Sequence, residues 1–155
     1  MENNNRRVVI TGMGIWSCLG TTLDEVKESL FNGKSGIIFS PERKEMGFES
    51  GLTASVKKPE LKGLVDRAHR VFMPEEAQYA YMSTVDALKM AKLDEDYIEK
   101  HDIGLLFGND SSADAVVKSV DTMREKKSTR LVGSGAIFQS MNSTVTMNLG
   151  CLFKL

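Results

Sequence analysis

Histidine and cysteine are scarce in this 155-residue chain, and the chemistry they usually carry is scarce with them. Its two histidines, His69 and His101, belong to no cysteine or carboxylate set at ligand spacing, so no metal centre is expected. Its two cysteines, Cys18 and Cys151, cannot form a disulfide framework, and reduced thiols in a cytoplasmic protein are the expectation. Net charge is only -1, which removes any global attraction to nucleic acid or to an anionic membrane. No run approaches the roughly 18 apolar residues of a membrane span. The polar start, MENNNRR, lacks the layout of a secretory signal. Internal repeats and low-complexity tracts are absent too. What is present is a 41% hydrophobic share, enough for one domain or for part of a larger one.

The pattern along the chain alternates between strand-like and helical segments. Residues 1–6 are expected to be a disordered tail ahead of an α/β body over 7–155. Val8, Val9 and Ile10 form a short apolar run of the kind that suits a strand covered on both faces. Thr22 and Glu25 fit a capping box, Leu23, Val26 and Leu30 share a helical face, and Gly33 suits a helix stop. Residues 34–72 are irregular, with Pro41, Pro59 and recurring apolar residues, and read as an excursion containing short strands. Pro74 opens a helix predicted to reach Ala91, with a stripe through Ala77, Tyr81, Thr84, Leu88 and Ala91. Asp94 begins a helical turn, and residues 103–108 form a second buried-type strand. A helix then carries Ala113, Val116, Val117, Val120 and Met123 on one side. Arg124 to Arg130 make a basic connection, and a last helix is predicted over 135–149 on the spacing of Ile137, Met141, Val145 and Leu149. This order indicates an α/β layered fold.

Glycines after the first strand admit several functions. A dinucleotide loop requires G-x-G-x-x-G; Gly12 and Gly14 supply two, but Ser17 holds the third place. Gly33-Lys34-Ser35 resembles the end of a phosphate loop, but Glu28 stands where its first glycine belongs, and the segment follows a helix. No Ser-His-Asp or Cys-His set can be assembled. Cys151 lies in an apolar stretch and reads as a small buried hydrophobe. The cluster Arg124, Lys126, Lys127 and Arg130 reads either as a solvated helix end or as a docking patch for an acidic partner.

A further reading covers nearly the whole chain. The block V-V-I-T-G-M-G-I-W-S-C-L-G, Val8 to Gly20, resembles the start of the β-ketoacyl-acyl-carrier-protein synthases, elongating condensing enzymes of types I and II. That family follows it with a helix and a G-x-S-G-I turn, here Gly33 to Ile37. Leu64-Val65-Asp66-Arg67, Phe72-Met73, Ile103-Gly104-Leu105 and Phe153-Lys154 extend the likeness in order. The resemblance implies the N-terminal part of a thiolase-like fold, a five-layer α/β/α/β/α architecture. It implies decarboxylative Claisen condensation of acyl and malonyl thioesters in fatty acid, polyketide or polyene synthesis. No cofactor is implied. Acyl carrier protein is the implied partner, with a homodimer or a paired condensing subunit, and with no nucleic acid or membrane.

The same resemblance places the nucleophilic cysteine, two histidines and a lysine beyond Leu155. The chain is therefore expected to hold no catalytic residue of the family and to be inactive alone, as a truncation, a proteolytic piece or one product of a split gene. Ser111 matches a position limiting acyl length, in a loop made unusually polar by Asn109 and Asp110, with Asp110 alternatively capping the next helix. Met141 matches an acyl-pocket position. Arg67 matches a carrier-docking position, Arg124, Lys126, Lys127 and Arg130 the neighbourhood of others. Ala68 and Val71 depart from the basic pattern, and Arg70 stands one place away as a substitute. The alternatives are a non-catalytic, chain-length-factor-like subunit and an independent nucleotide-binding domain.

Overall fold

The computed structural model describes residues 7–110 and 113–155. They divide into two units, one built from residues up to Ser55 with Ser83–Asp94, the other from Val56–Met82 with Glu95–Leu155.

In the first unit, Thr22 caps helix α1, Leu23–Phe31, by accepting from the Glu25 amide at 3.2 Å. Glu25 reaches back as the capping box predicts, but to the Thr21 amide, 2.7 Å away, and to the Thr21 hydroxyl. Gly33 closes the helix at φ +60°, a conformation that costs glycine little. Of the predicted apolar face, only Val26 is buried; Leu23 and Leu30 are exposed. Strands β1, Ile38–Phe39, and β2, Leu52–Thr53, pair antiparallel around the short helix α2, Pro41–Glu45. These are the short strands expected in the excursion.

Helix α3, Arg67–Arg70, and helix α4, Glu75–Ala91, follow. The predicted stripe on α4 is displaced. Ala77 and Ala80 are its buried residues, and farther along Ser83, Ala87 and Ala91 face the backbone of Gly12 and Gly14. A Cβ on Gly14 would overlap the Ser83 carbonyl, so these glycines are there for close approach to a helix, not for a phosphate.

The second unit contains α5, Glu95–Lys100, α6, Asp114–Lys126, a 3₁₀ turn at Thr129–Leu131, α7, Ala136–Gln139, and α8, Thr144–Phe153. Its core joins Leu61, Val65, Met73, Ala77, Ala80, Val145 and Leu149. Tyr81 and Phe153 stack beside it with ring centroids 5.4 Å apart. Burial pushes the Tyr81 hydroxyl above its ordinary pKa.

Three expectations need correction. Residues 7–11 and 103–108 are not strands: they pair with nothing among the described residues, and Val8, Ile10 and Leu106 are 95%, 83% and 98% exposed. Their composition suits two-sided cover, but a strand also needs a neighbour for its backbone groups. The helix predicted over 135–149 is two helices. The Ser140 hydroxyl bonds the Ile137 carbonyl at 2.8 Å in the break between them, and Met141 lies in that break. Val145 and Leu149 are buried while Ile137 and Met141 are exposed. On α6 the buried residue is Ala115; Val116, Val117, Val120 and Met123 are exposed. Ala113 holds the N-cap place of α6 and makes no side-chain cap bond.

Candidate functional site

The second unit carries the basic residues and an open apolar groove on neighbouring elements. Asp66 starts α3 by accepting from the His69 amide at 2.9 Å through Oδ1, while Oδ2 lies 2.6 Å from His69 Nδ1. These contacts hold the Asp66 carboxyl below its ordinary pKa, the backbone bond contributing most. Arg67 is the first residue of α3 and is exposed. Arg70 is half-buried, and its Nε has no hydrogen-bond partner among the described residues. Arg70 is thus drawn partly inward, which weakens it as a substitute for the basic residues missing at Ala68 and Val71.

Arg124 sits in the last turn of α6, 3.6 Å from Asp121 and strongly exposed. Lys126 ends the helix, and Lys127 caps it in the left-handed region at φ 50°. Arg130 lies in the 3₁₀ turn, begun by Ser128, whose hydroxyl accepts from the Arg130 amide at 3.2 Å. Cationic side chains at a helix C-terminus also suit the helix dipole.

Sequence neighbours of both basic segments meet at one hollow. Val71, next to Arg70, and Leu131, next to Arg130, line the same depression of about 210 Å³. The joint is close: a Cβ on Gly135 would come within 2.6 Å of the Val71 carbonyl, which accepts from Gln139 Nε2 at 2.7 Å. Asn148 Nδ2 holds the next carbonyl, that of Phe72, at 3.1 Å. Sequence reasoning missed Gln139 and Asn148, since a lone amide gives no pattern; the signal was a glycine four residues before Gln139, where backbones could meet.

The apolar groove, about 510 Å³, runs between α6 and the segment through α7. Val116, Val120, Met123, Val132 and Ile137 line it. Met141 is 43% exposed and is not part of this lining; Ser111 lies outside the described residues. Of the two predicted acyl-pocket residues, only Met141 is described, and it does not line this groove.

Cys18 packs against Gly36, and Cys151 is exposed within α8. His69 is tied to Asp66, and His101 stacks on Tyr97 at 3.9 Å. Among the described residues no group of three His, Cys, Asp or Glu side chains is placed to hold a metal.

The family model of the β-ketoacyl synthase N-terminal domain matches residues 5–154. The chain belongs to the β-ketoacyl synthase family. It is 36% identical over 152 residues to 3-oxoacyl-[acyl-carrier-protein] synthase 1 of Escherichia coli K12 and 31% over 153 residues to that of Buchnera aphidicola from Acyrthosiphon pisum. In each case 97% of this chain matches 37% of the relative, so the chain spans little more than a third of their length. A β-ketoacyl synthase structure from Burkholderia phymatum superposes with a TM-score of 0.79 at 28% identity, over 97% of this chain and 37% of that one. The ishigamide ketosynthase/chain length factor gives a TM-score of 0.77 at 19% identity, over 97% and 38%, a likeness of fold. The architecture is accordingly the N-terminal part of a thiolase-like fold.

Proposed function

We propose that this chain serves decarboxylative condensation of acyl and malonyl thioesters as the N-terminal part of a 3-oxoacyl-[acyl-carrier-protein] synthase. The match to the synthase N-terminal domain over residues 5–154 carries that reading. The nucleophilic cysteine and the two histidines of the reaction are assigned to the remainder of the enzyme. In support, Cys18 packs against a glycine, and Cys151 lies inside a helix and not at its amide-rich start. A cytoplasmic setting fits, and among the described residues no helix is long and apolar enough to cross a membrane.

The contribution assigned to these residues is docking. Arg67, Arg124, Lys126, Lys127 and Arg130 form a basic border suited to an acidic acyl carrier protein, with Arg70 in a lesser part. Exposed charges of this kind govern encounter and orientation more than final affinity. Ser111 and Met141 remain assigned to the acyl pocket. The exposed apolar residues of α6 are assigned to the meeting with a second copy of the subunit, as in a dimer.

Charge reversal tests the docking. Lys127→Glu or Arg130→Glu is expected to weaken binding of holo acyl carrier protein about fivefold or more at low salt, the loss shrinking as salt screens it. Equal affinities at low salt contradict the assignment. The 155-residue chain given acyl- and malonyl-loaded carrier is expected to form no β-ketoacyl product; product formation or acyl transfer to either cysteine overturns the placing of the nucleophile elsewhere.

A subunit that shapes the acyl cavity without condensing, in the manner of a chain length factor, is the second reading. The polar Asn109 and Asp110 at the expected acyl-pocket loop favour it. A complete enzyme active without a paired subunit would exclude it.

A further inference from the structure

Helix α3 spans four residues, too few to hold together on its own backbone bonds. Its place in the unit must be set from outside, and the contacts gather at its end. Val71 is its C-cap residue, and the last carbonyls of a helix find no partner inside it. Gln139 Nε2, at the end of α7, donates to the Val71 carbonyl at 2.7 Å across 68 residues of chain. One residue on, Asn148 Nδ2 of α8 donates to the Phe72 carbonyl, and the Phe72 ring meets Phe138 edge-on with centroids 5.3 Å apart. The two amides differ in setting. Asn148 is buried and also bonds the Thr144 carbonyl, so it serves the core. Gln139 is half-buried and Val71 is 47% exposed, so their bond buries little; what it fixes is where α3 ends. Helix α7 packs in turn against α6, whose last turn carries Arg124 and Lys126. Gln139 also lines the hollow that Val71 shares with Thr122 and Leu131.

We propose that Gln139 is a positioning residue for carrier docking: its amide seats the end of α3 on α7 and so sets the spacing between Arg67 and the basic residues of α6 and the 3₁₀ turn. The proposal rests on the docking reading above. One exposed charge contact with an acidic partner is worth about two- to fivefold in affinity. Two such contacts reinforce each other when their spacing is held at what one partner spans. An untied α3 has to be ordered as the carrier binds, which offsets what Arg67 contributes. The basic residues of α6 and the 3₁₀ turn do not depend on that bond, so they keep their contribution when it is lost. Gly135 belongs to the same joint, since a Cβ there would come within 2.6 Å of the Val71 carbonyl and push the end of α3 away from α7.

The test measures affinity of the whole 155-residue chain for holo acyl carrier protein at low salt, with Arg67→Gln and Arg130→Gln each made in wild type and in Gln139→Met. Methionine keeps the length of the side chain and removes the donor. In wild type each arginine change is expected to weaken binding about two- to fivefold. In Gln139→Met, Arg130→Gln is expected to keep its cost, while Arg67→Gln is expected to cost about onefold, that is, nothing further. Gln139→Met alone is expected to weaken binding about as much as Arg67→Gln does, with the thermal melt little changed. Gly135→Ala disturbs the same joint by a different route and is expected to give the same pattern, so the test does not depend on one variant folding. A merely structural role would lower the melt and leave the cost of Arg67→Gln as in wild type. An undiminished cost of Arg67→Gln in both Gln139→Met and Gly135→Ala overturns the proposal, and so does equal loss of both arginine effects. In those cases the arginine effects in wild type keep the docking reading standing. If neither arginine change weakens binding in wild type, the docking reading falls and takes this proposal with it.

Discussion

At the scale of single residues, the informative positions are those where backbone meets backbone. Gly12 and Gly14 look in the sequence like a nucleotide loop, and Ser17 argues against it. The structure adds what these residues do. Gly14 faces the Ser83 carbonyl, and the Ser17 hydroxyl accepts from the Leu19 amide at 3.2 Å to tie the turn. Gly14→Ala is expected to destabilise the fold by about 1–3 kcal/mol through overpacking. Gly104→Ala, with open space around it, is expected to change stability much less. Thermal melts of the two variants provide the comparison. Asn148 is buried, with Nδ2 bonded to the Phe72 and Thr144 carbonyls. Asn148→Leu is expected to cost about 1–3 kcal/mol by leaving the Phe72 carbonyl without that donor, read from urea midpoints.

Among the elements, the first helix was legible and the two longer strands were not, for a physical reason. A helix satisfies its own backbone, so Thr22, Glu25 and Gly33 mark α1 in sequence and mark it in the structure. A strand is completed elsewhere. Residues 7–11 and 103–108 have strand composition without a partner among the described residues. The break between α7 and α8 was hidden because the four-residue spacing of Ile137, Met141, Val145 and Leu149 runs across it, while Ser140 and its neighbours favour local bonds to the backbone. The docking cluster was legible as composition. Its closeness to α3 was not, since that depends on Gly135 meeting Val71. An ion pair gives an element-scale prediction. Lys58 lies 3.0 Å from Glu75 and, with its hydrogen bond the largest cause, holds the Glu75 carboxyl below its ordinary pKa. A lowered carboxyl stabilises the fold above its unfolded pKa and loses that effect as pH falls through the folded value. Lys58→Met is therefore expected to lower stability slightly near neutral pH and to match wild type once acid has protonated Glu75 in the folded state too. Urea titrations at several pH values check this.

For the whole molecule, the family was readable because many ordered segments agree, although no motif among them is decisive. The docking assignment turns on how Arg67, the end of α6 and the 3₁₀ turn act together, while α1 and the β1–β2 pair belong to the other unit. A nuclear magnetic resonance titration of the ¹⁵N-labelled 155-residue chain with holo acyl carrier protein at low salt tests this most directly. The account predicts amide shift changes centred on residues 66–71 and 124–131, fading as salt is raised. Changes centred on α1 and residues 38–53, or no changes at low salt, would contradict it.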